Sequence, residues 1–587
     1  MNPSKLQVTD MLVKAFVAEG VQVLFTLMGD ANMYWSAAMA KQPGVKVVHA
    51  RHEHSACAMA DGYARMTGKV GVASTTCGPG FTQIMTALAM AARANTPMVV
   101  FAGDAPIGAA WYLQQIDMAP LALATGAHYV AVKSIDRLLD NVREAFIVAK
   151  VERRPVVLSI PMDLQKKDYP YLAEYMPSEG FVPAPQRPHP DPEMVERVVD
   201  MITEAEKPIV IAGRGAARSG ARAAIEALGE RAGALLANSL LGKGLFESSP
   251  WAIGIAGAFA SDYARERFAE SDLVIGIGAG LGHYTTEGGY LYPGAQVVQI
   301  DTSPRGLWQG LRTADLHVRA DARAAADAIV AALDRRGVAR TGFRTPDVSA
   351  AIAADVPDSK AYTPQPGLLD PRKAILELDA VVPKDWDVVV GVGHYFSIAL
   401  THMRGRPTDK IHVIGDFGGI GSGLPAAIGI AAARGDGKVL LIEGDGSLYM
   451  HVQELETIRR QGIQMLVAIM NDGGYGAEFH KFRAGGFDPA EAIHGRGDLA
   501  GVATGFGLRG TTVAEPGRCQ ALFEEHQAAN TAGLWDLQID DLIPSRAYRR
   551  IHYGEAQPYT ARAVATSMTP SPTSRATASR SRRSGEP

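Results

Sequence analysis

The stretch that decides the fold runs from Lys438 to Glu478: KVLLIEGDGSLYMHVQELETIRRQGIQMLVAIMNDGGYGAE. A strand at Val439–Ile442 runs into the turn Gly444-Asp445-Gly446-Ser447. A helix follows, with Val452, Leu455 and Ile458 on one face at i, i+3 and i+6. A second strand, Met465–Met470, runs into Asn471-Asp472-Gly473-Gly474. Continuous apolar strands separated by a helix belong to a parallel sheet covered on both faces. Both turns therefore fall at the carboxyl ends of neighbouring strands, the edge where open α/β sheets bind ligands.

The residue types in those turns suit a metal-bridged phosphate. Mg²⁺ takes hard oxygen ligands and commonly bridges a protein to phosphate oxygens. Asp445 and Asp472 each offer such an oxygen. The glycines Gly444, Gly446 and Gly474 let the backbone approach a bulky anion. Ser447, at the start of the helix, is placed to donate to a phosphate where the helix end is partly positive. The competing reading is a pair of ordinary Gly/Asp turns closing two strands.

Outward from this stretch, the same alternation fills the rest of the chain. The sequence has 587 residues, which at roughly 100–200 residues per domain implies about three domains. Two proline-rich stretches divide it, one from Pro177 to Pro192 and one from Pro346 to Pro366. Clustered prolines favour extended linkers. The blocks are 1–170, 190–345 and 365–553. Val70–Thr75 and Met98–Ala102 read as strands of the first block, with a helix at Gln83–Arg93 between them. Pro208–Ala212, Leu273–Ile277 and Gln296–Ile300 read as strands of the second. The expected architecture is α/β, three consecutive parallel-sheet domains. The last residues, 554–587, are rich in Ser, Thr, Pro, Ala and Arg, a composition expected to stay disordered.

Composition narrows the function classes. Hydrophobic residues at 47% and charged residues at 20% describe a globular protein. A formal net charge of −4 with no basic face gives no reason to expect a nucleic-acid partner. Cys57, Cys77 and Cys519 are too dispersed for a disulfide framework or a metal-binding pair, so a reducing cytoplasm is expected. Charges at Lys5, Asp10, Lys14 and Glu19 interrupt any signal-peptide core. No apolar run approaches ~18–20 residues, so no membrane span is expected.

Gly-Asp-Gly, a spacer and then Asn-Asn or Asn-Asp resembles the signature of thiamine-diphosphate enzymes. The resemblance implies three metal ligands: Asp445, Asp472 lying 27 positions later, and the backbone carbonyl of Gly474. The family's usual residue at the second position is Asn, so Asp472 is a departure that adds a negative charge. Arg51-His52-Glu53-His54-Ser55-Ala56, followed by Asp61-Gly62-Tyr63-Ala64-Arg65, is similar to the segment carrying the family's activating glutamate. Glu53 is then the carboxylate that hydrogen-bonds the cofactor's aminopyrimidine ring and promotes loss of the thiazolium C2 proton. Otherwise it is a helix cap or a surface charge. In Gly418-Gly419-Ile420-Gly421-Ser422-Gly423-Leu424-Pro425, Ile420 matches the apolar wedge that bends the cofactor, 25 residues before Asp445. Gly393-His394-Tyr395 lies at a strand end where relatives hold the diphosphate.

The resemblance covers about 1–550, in the order pyrimidine-binding domain, central Rossmann-like domain and diphosphate-binding domain. It implies active sites at a subunit interface, hence a homodimer or homotetramer. Within the family two subgroups compete. Cys77-Gly78-Pro79-Gly80, Ala102-Gly103-Asp104-Ala105-Pro106, Leu113-Gln114-Gln115 and Ile300-Asp301 with Pro304 look like acetolactate synthase, with Gln114 at an active-site glutamine. Gly29-Asp30-Ala31-Asn32, 23 positions before Glu53, and Glu478, 33 positions after Asp445, look like the 2-oxo acid decarboxylases. Lys481 stands where true acetolactate synthases carry a tryptophan. The central block of such relatives can hold FAD. Gly213-x-Gly215 with Gly220 is a weak nucleotide pattern, and little or no FAD is expected here.

These residues lead to one expectation and two alternatives. The expectation is an acetolactate-synthase-like carboligase using thiamine diphosphate and Mg²⁺ on a 2-oxo acid or 2-hydroxy ketone. One alternative is simple decarboxylation to an aldehyde. The other is a non-catalytic cofactor-binding subunit, against which the presence of Glu53 argues.

Overall fold

The computed structural model describes residues 6–171, 174–182 and 186–555. The serine- and arginine-rich stretch expected to form a tail lies outside them from residue 556 onward. Three six-stranded parallel sheets follow one another along the chain. The first holds β1 (Val23–Thr26), β2 (Lys46–His49), β3 (Gly71–Thr75), β4 (Met98–Asp104), β5 (His128–Ala131) and β6 (Pro155–Pro161). The second holds β7 (Pro208–Ala212), β8 (Leu235–Asn238), β9 (Ala252–Ile255), β10 (Leu273–Ile277) and β11 (Gln296–Asp301). A small antiparallel hairpin, β12 (Leu307–Trp308) and β13 (Leu311–Arg312), precedes its last strand, β14 (Leu316–Arg319). The third holds β15 (Asp387–Val390), β16 (Ile411–Val413), β17 (Val439–Gly444), β18 (Leu466–Asn471), β19 (Arg509–Val513) and β20 (Gly533–Gln538).

The strand orders locate the ligand-binding edges. The first sheet runs β2-β1-β3-β4-β6-β5 and the third β16-β15-β17-β18-β20-β19, the same topology twice. The second runs β14-β11-β10-β7-β8-β9, the dinucleotide-fold order read from its other edge. In the first and third sheets the order reverses between the first and third strands, β1/β3 and β15/β17. Ligands bind at such switch points, beyond the carboxyl ends of the strands.

Seven helices frame those edges: α1 (Glu53–Thr67), α2 (Tyr395–His402), α3 (Gly423–Arg434), α4 (Asp445–Met450), α5 (Glu454–Arg460), α6 (Gly476–Ala484) and α7 (Arg546–Ile551). The single helix expected after Asp445 is two, because His451 leaves helical geometry at φ −137°, ψ 30°. The second proline-rich stretch also differs from a plain linker. Pro346 opens the helix Pro346–Ala354, where its missing N–H costs nothing.

The first and third domains share one apolar core. It joins Phe25, Met59 and Phe81 to Leu424, Ile428 and Leu441, each burial contributing about 1.5–3 kcal/mol. Helices α1 and α3 cross so closely that glycine is required at the contact. A Cβ on Gly62 would lie 2.1 Å from the carbonyl oxygen of Ala426, and one on Gly429 1.9 Å from that of Met59. One buried carboxylate ties all three domains: Asp416 accepts from Arg65 of the first at 2.7 Å and from Arg214 of the second at 2.8 Å. The two guanidiniums hold its carboxyl below the usual range against the opposing effect of burial. No described helix is long and apolar enough to cross a membrane.

Candidate active site

Beside the switch point of the third sheet, on the same carboxyl edge, β17 and β18 run in register, Gly444 opposite Met470, so their terminal turns stand side by side. Asp445, 1% exposed, accepts a hydrogen bond from the Gly473 amide at 2.9 Å and lies 3.8 Å from Nε2 of His494. Asp472 accepts from the Gly474 amide at 3.3 Å. Burial holds the Asp445 carboxyl above the ordinary range. Asp472 stands well above it, by burial first and then by the charge of Asp445. Asp536 is pushed up to about 6 by burial and takes a hydrogen bond from Asn471 at 2.8 Å. Asp541 pairs with Arg496 at 3.0 Å, and the same guanidinium also donates to the carbonyl of Asn471.

Four carboxylates therefore crowd two turns beside one guanidinium, an arrangement that favours a bound cation. The carbonyl of Gly474 accepts no backbone hydrogen bond among the described residues. No described group of three or more His, Cys, Asp or Glu side chains is placed to hold a metal. Two carboxylates and a carbonyl suit instead an ion that completes its shell with phosphate oxygens and water, as Mg²⁺ does. The donor set fits that ion.

The anion side of the same edge is built from three turns. The start of α4 presents the amides that follow Gly444. The hydroxyl of Ser447 does not serve as the sequence suggests. Its one hydrogen goes to Glu443 at 2.5 Å and it accepts from the Gly421 amide at 2.7 Å, so only its backbone N–H remains for an anion. His394, just before α2, accepts from the Ser545 amide through Nε2 at 2.8 Å. A backbone amide can only donate, so the ring proton sits on Nδ1. Burial and the neighbouring His480 hold this imidazole neutral. Gly418 takes φ +77° in the loop after β16, and half-buried Ile420 follows two residues on.

The first sheet's switch point gathers the other candidates. Glu53 opens α1 half-buried, with Oε1 3.1 Å from where a Cβ on Gly80 would stand. Asn32 donates to Ser74 at 2.9 Å and accepts from the Gly29 amide at 2.8 Å, which shapes the turn from which Asp30 projects. The Tyr112 hydroxyl lies 3.4 Å from both Asp30 and Gln114, and Cys77 Sγ lies 3.7 Å from Gln114. Asp30, Gln114, Tyr112 and Cys77 thus form one cluster. Glu478 stands apart on α6, exposed and 3.3 Å from Lys481.

Within one chain, no described hydrogen bond or ion pair joins the Asp30–Glu53–Gln114 group to the metal turns. Polar contacts between the two domains cluster around Glu53. The Arg51 amide donates to Glu454 at 3.0 Å, His54 bonds Ser422 at 2.8 Å, and Ser55 bonds His451 at 3.3 Å. Sequence reasoning passed over Glu443, Tyr112, His451, His494 and Arg496. Glu443 had a signal, a carboxylate in an otherwise apolar strand. His494 and Arg496 reach the site through a loop with no local motif.

Comparison with known proteins agrees along most of the chain. Residues 6–121 match the family described as thiamine pyrophosphate enzyme, N-terminal TPP binding domain. Residues 195–329 match its central domain and residues 391–534 its C-terminal TPP binding domain. The acetolactate synthase large subunit of Parasynechococcus marenigrum is 30% identical over 529 residues, covering 86% of this chain and 83% of that protein. The acetolactate synthase of Arthrospira platensis is 30% identical over 524 residues, covering 86% and 89%. The acetolactate synthase large subunit of Haemophilus influenzae is 27% identical over 556 residues, covering 92% and 95%.

Proposed function

The chain belongs to the thiamine pyrophosphate enzyme family, and from that premise we propose that it is a carboligase of the acetolactate-synthase type. It takes an acyl unit from a 2-oxo acid or 2-hydroxy ketone and joins it to a second carbonyl compound. The observation that carries this reading is the pair of carboxylate turns, Asp445 and Asp472, side by side at the ends of β17 and β18. Thiamine diphosphate, when bound, supplies a carbon nucleophile at C2 of its thiazolium ring.

The chain's own residues then have separate tasks. Asp445, Asp472 and the Gly474 carbonyl would hold Mg²⁺. The α4 amides and His394 Nδ1–H would serve the diphosphate. Ile420 would support the bend of the cofactor, and Glu53 would share a proton with its pyrimidine ring. Asp30 and Gln114, joined through Tyr112, line the substrate side, with Glu478 opposite. The minimum active unit is a homodimer in which Glu53 of one chain serves the cofactor held by the other. Two features support the pairing. The Glu53 group and the metal turns of one chain share no described bond. Beside Gln114, Trp111 and Leu113 expose 83% and 96% of their surface, more than an isolated chain normally leaves bare.

Little or no FAD is expected in the central domain. Its glycines are occupied by packing: a Cβ on Gly213 would stand 2.3 Å from the carbonyl oxygen of Gly278, and one on Gly215 2.8 Å from its Cα. The indole of Trp308, on the β12–β13 hairpin, covers Gly280, where a Cβ would fall 1.8 Å from the ring. The purified protein is therefore expected to lack a stoichiometric flavin absorbance band.

A mass-spectrometric product screen tests the activity. The protein is given thiamine diphosphate, Mg²⁺ and a panel of 2-oxo acids, with and without aldehyde acceptors. A carboligase gives a product carrying a new carbon–carbon bond. Free aldehyde alone, unchanged by acceptors, would favour the decarboxylase reading. Cofactor binding without turnover of any substrate would contradict both.

A further inference from the structure

Glu443 is the fully buried carboxylate that the proposed roles leave unused. It sits in β17 behind Val439, Leu440, Leu441 and Ile442, and none of its surface is exposed. A carboxylate taken out of water costs several kcal/mol unless hydrogen bonds replace the lost solvation. No Lys, Arg or His among the described residues pairs with it, and burial pushes its carboxyl up to about 7; neutral donors serve one of its oxygens, while the other, Oε2, makes no side-chain hydrogen bond. Its Oε1 accepts from Ser447 Oγ at 2.5 Å, and the Tyr395 hydroxyl lies 3.4 Å away. Its other oxygen lies against the first residues of α3, where a Cβ on Gly423 would be 2.2 Å away and where a helix start favours negative charge. A Cβ on Gly391, just after β15, would be 2.2 Å from Oε1.

Three turns thus close on one carboxylate, and each continues into the candidate site. Ser447 accepts from the Gly421 amide at 2.7 Å, which anchors the residue next to Ile420. The Tyr395 ring lies 2.9 Å from where a Cβ on Gly444 would stand, directly before Asp445. Ile420 itself lies among Gly418, Gly419 and Gly421, a run with little intrinsic stiffness. We propose that Glu443 is a positioning residue: through Ser447 and Tyr395 it fixes the distance between the Ile420 wedge and the Asp445 turn, and so the bend of the bound cofactor. This rests on the thiamine-diphosphate reading given above.

The test uses two full-length variants, Glu443→Gln and Ser447→Ala. In the first, an amide NH₂ replaces the oxygen that lies against the start of α3, where a helix end favours negative charge. The second removes the link from Gly421 without changing the buried acid. Three quantities are measured with Mg²⁺ present: cofactor affinity by calorimetry, thermal unfolding, and C2 hydrogen–deuterium exchange at saturating cofactor. Affinity is expected to stay within about ten-fold of wild type. Exchange at saturation is expected to slow by on the order of 10²-fold, the scale of a misplacement near 1 Å. Should Glu443→Gln fail to fold, Ser447→Ala decides. Wild-type exchange rates in the folded, saturated variants would overturn the inference alone, whatever their thermal stability. A wild-type protein that binds no cofactor would overturn the family-based reading and this inference with it.

Discussion

Asp472 is the residue at which this chain parts from its family's usual metal turn. A second carboxylate beside Asp445 raises the cost of the site without a cation; Arg496 offsets that charge and Asp541, paired with Arg496, adds to it. The two aspartates should therefore respond differently to substitution. Asp445→Ala removes the charged ligand bonded to the Gly473 amide and should abolish binding of thiamine diphosphate with Mg²⁺. Asp472→Asn keeps an oxygen, removes a like charge and should bind with affinity near wild type. Calorimetric titration separates the two, and unchanged affinity in Asp445→Ala would refute the metal assignment. Both aspartates were legible because each follows an apolar strand and a Gly-rich turn gives it away. Ser447 was legible as a residue, but its hydroxyl donates to Glu443 rather than to a phosphate. Its hydroxyl direction depends on Glu443, and a hydrogen bond between strand and helix leaves no mark in residue order.

Helices α1, α3 and α4 meet at a knot of imidazoles beside Glu53. His54 and His451 stack at 4.7 Å between ring centroids, 11° from parallel, with His52 5.4 Å from His451. Arg51, Ser55, Ser422 and Glu454 surround them. Burial, reinforced by the neighbouring histidines, lowers His54 to about 4 and His451 to about 3. The folded protein then binds fewer protons than the unfolded chain from those values up to the ordinary value of 6.5. Stability from this junction is complete above that value and is lost as pH falls, by up to about 1.4 kcal/mol per pH unit for each histidine. The double variant His54→Gln/His451→Asn should lose less unfolding temperature than wild type between pH 7 and pH 5. Equal losses would show that the pair does not govern acid stability. At this scale the strands were read to within a residue or two, since continuous apolar runs have few other uses. The break at His451 was not, because it comes from packing between domains.

Across the whole molecule, the first and third domains repeat one topology and share a core, while the central domain is tied to both through Asp416. The repetition places two ligand-binding sheet edges in one chain, one carrying Glu53 and Asp30, the other Asp445 and Asp472. That three parallel sheets follow one another was legible from the apolar runs, while the order pyrimidine-binding, central and diphosphate-binding came from the resemblance. The shared core was not, since nothing local says that α1 packs on a helix some 370 positions later. The account's central claim is that these two edges act on one cofactor, with Glu53 as the proton-sharing group. Glu53→Gln keeps size and most hydrogen bonding but cannot share a proton. The most direct measurement is C2 hydrogen–deuterium exchange on bound thiamine diphosphate, followed by quenched NMR. Wild type should exchange fast. The variant should bind cofactor and exchange slowly, with turnover reduced roughly 10²–10⁴-fold. A Glu53→Gln protein that is saturated with cofactor and still exchanges at the wild-type rate would contradict the account.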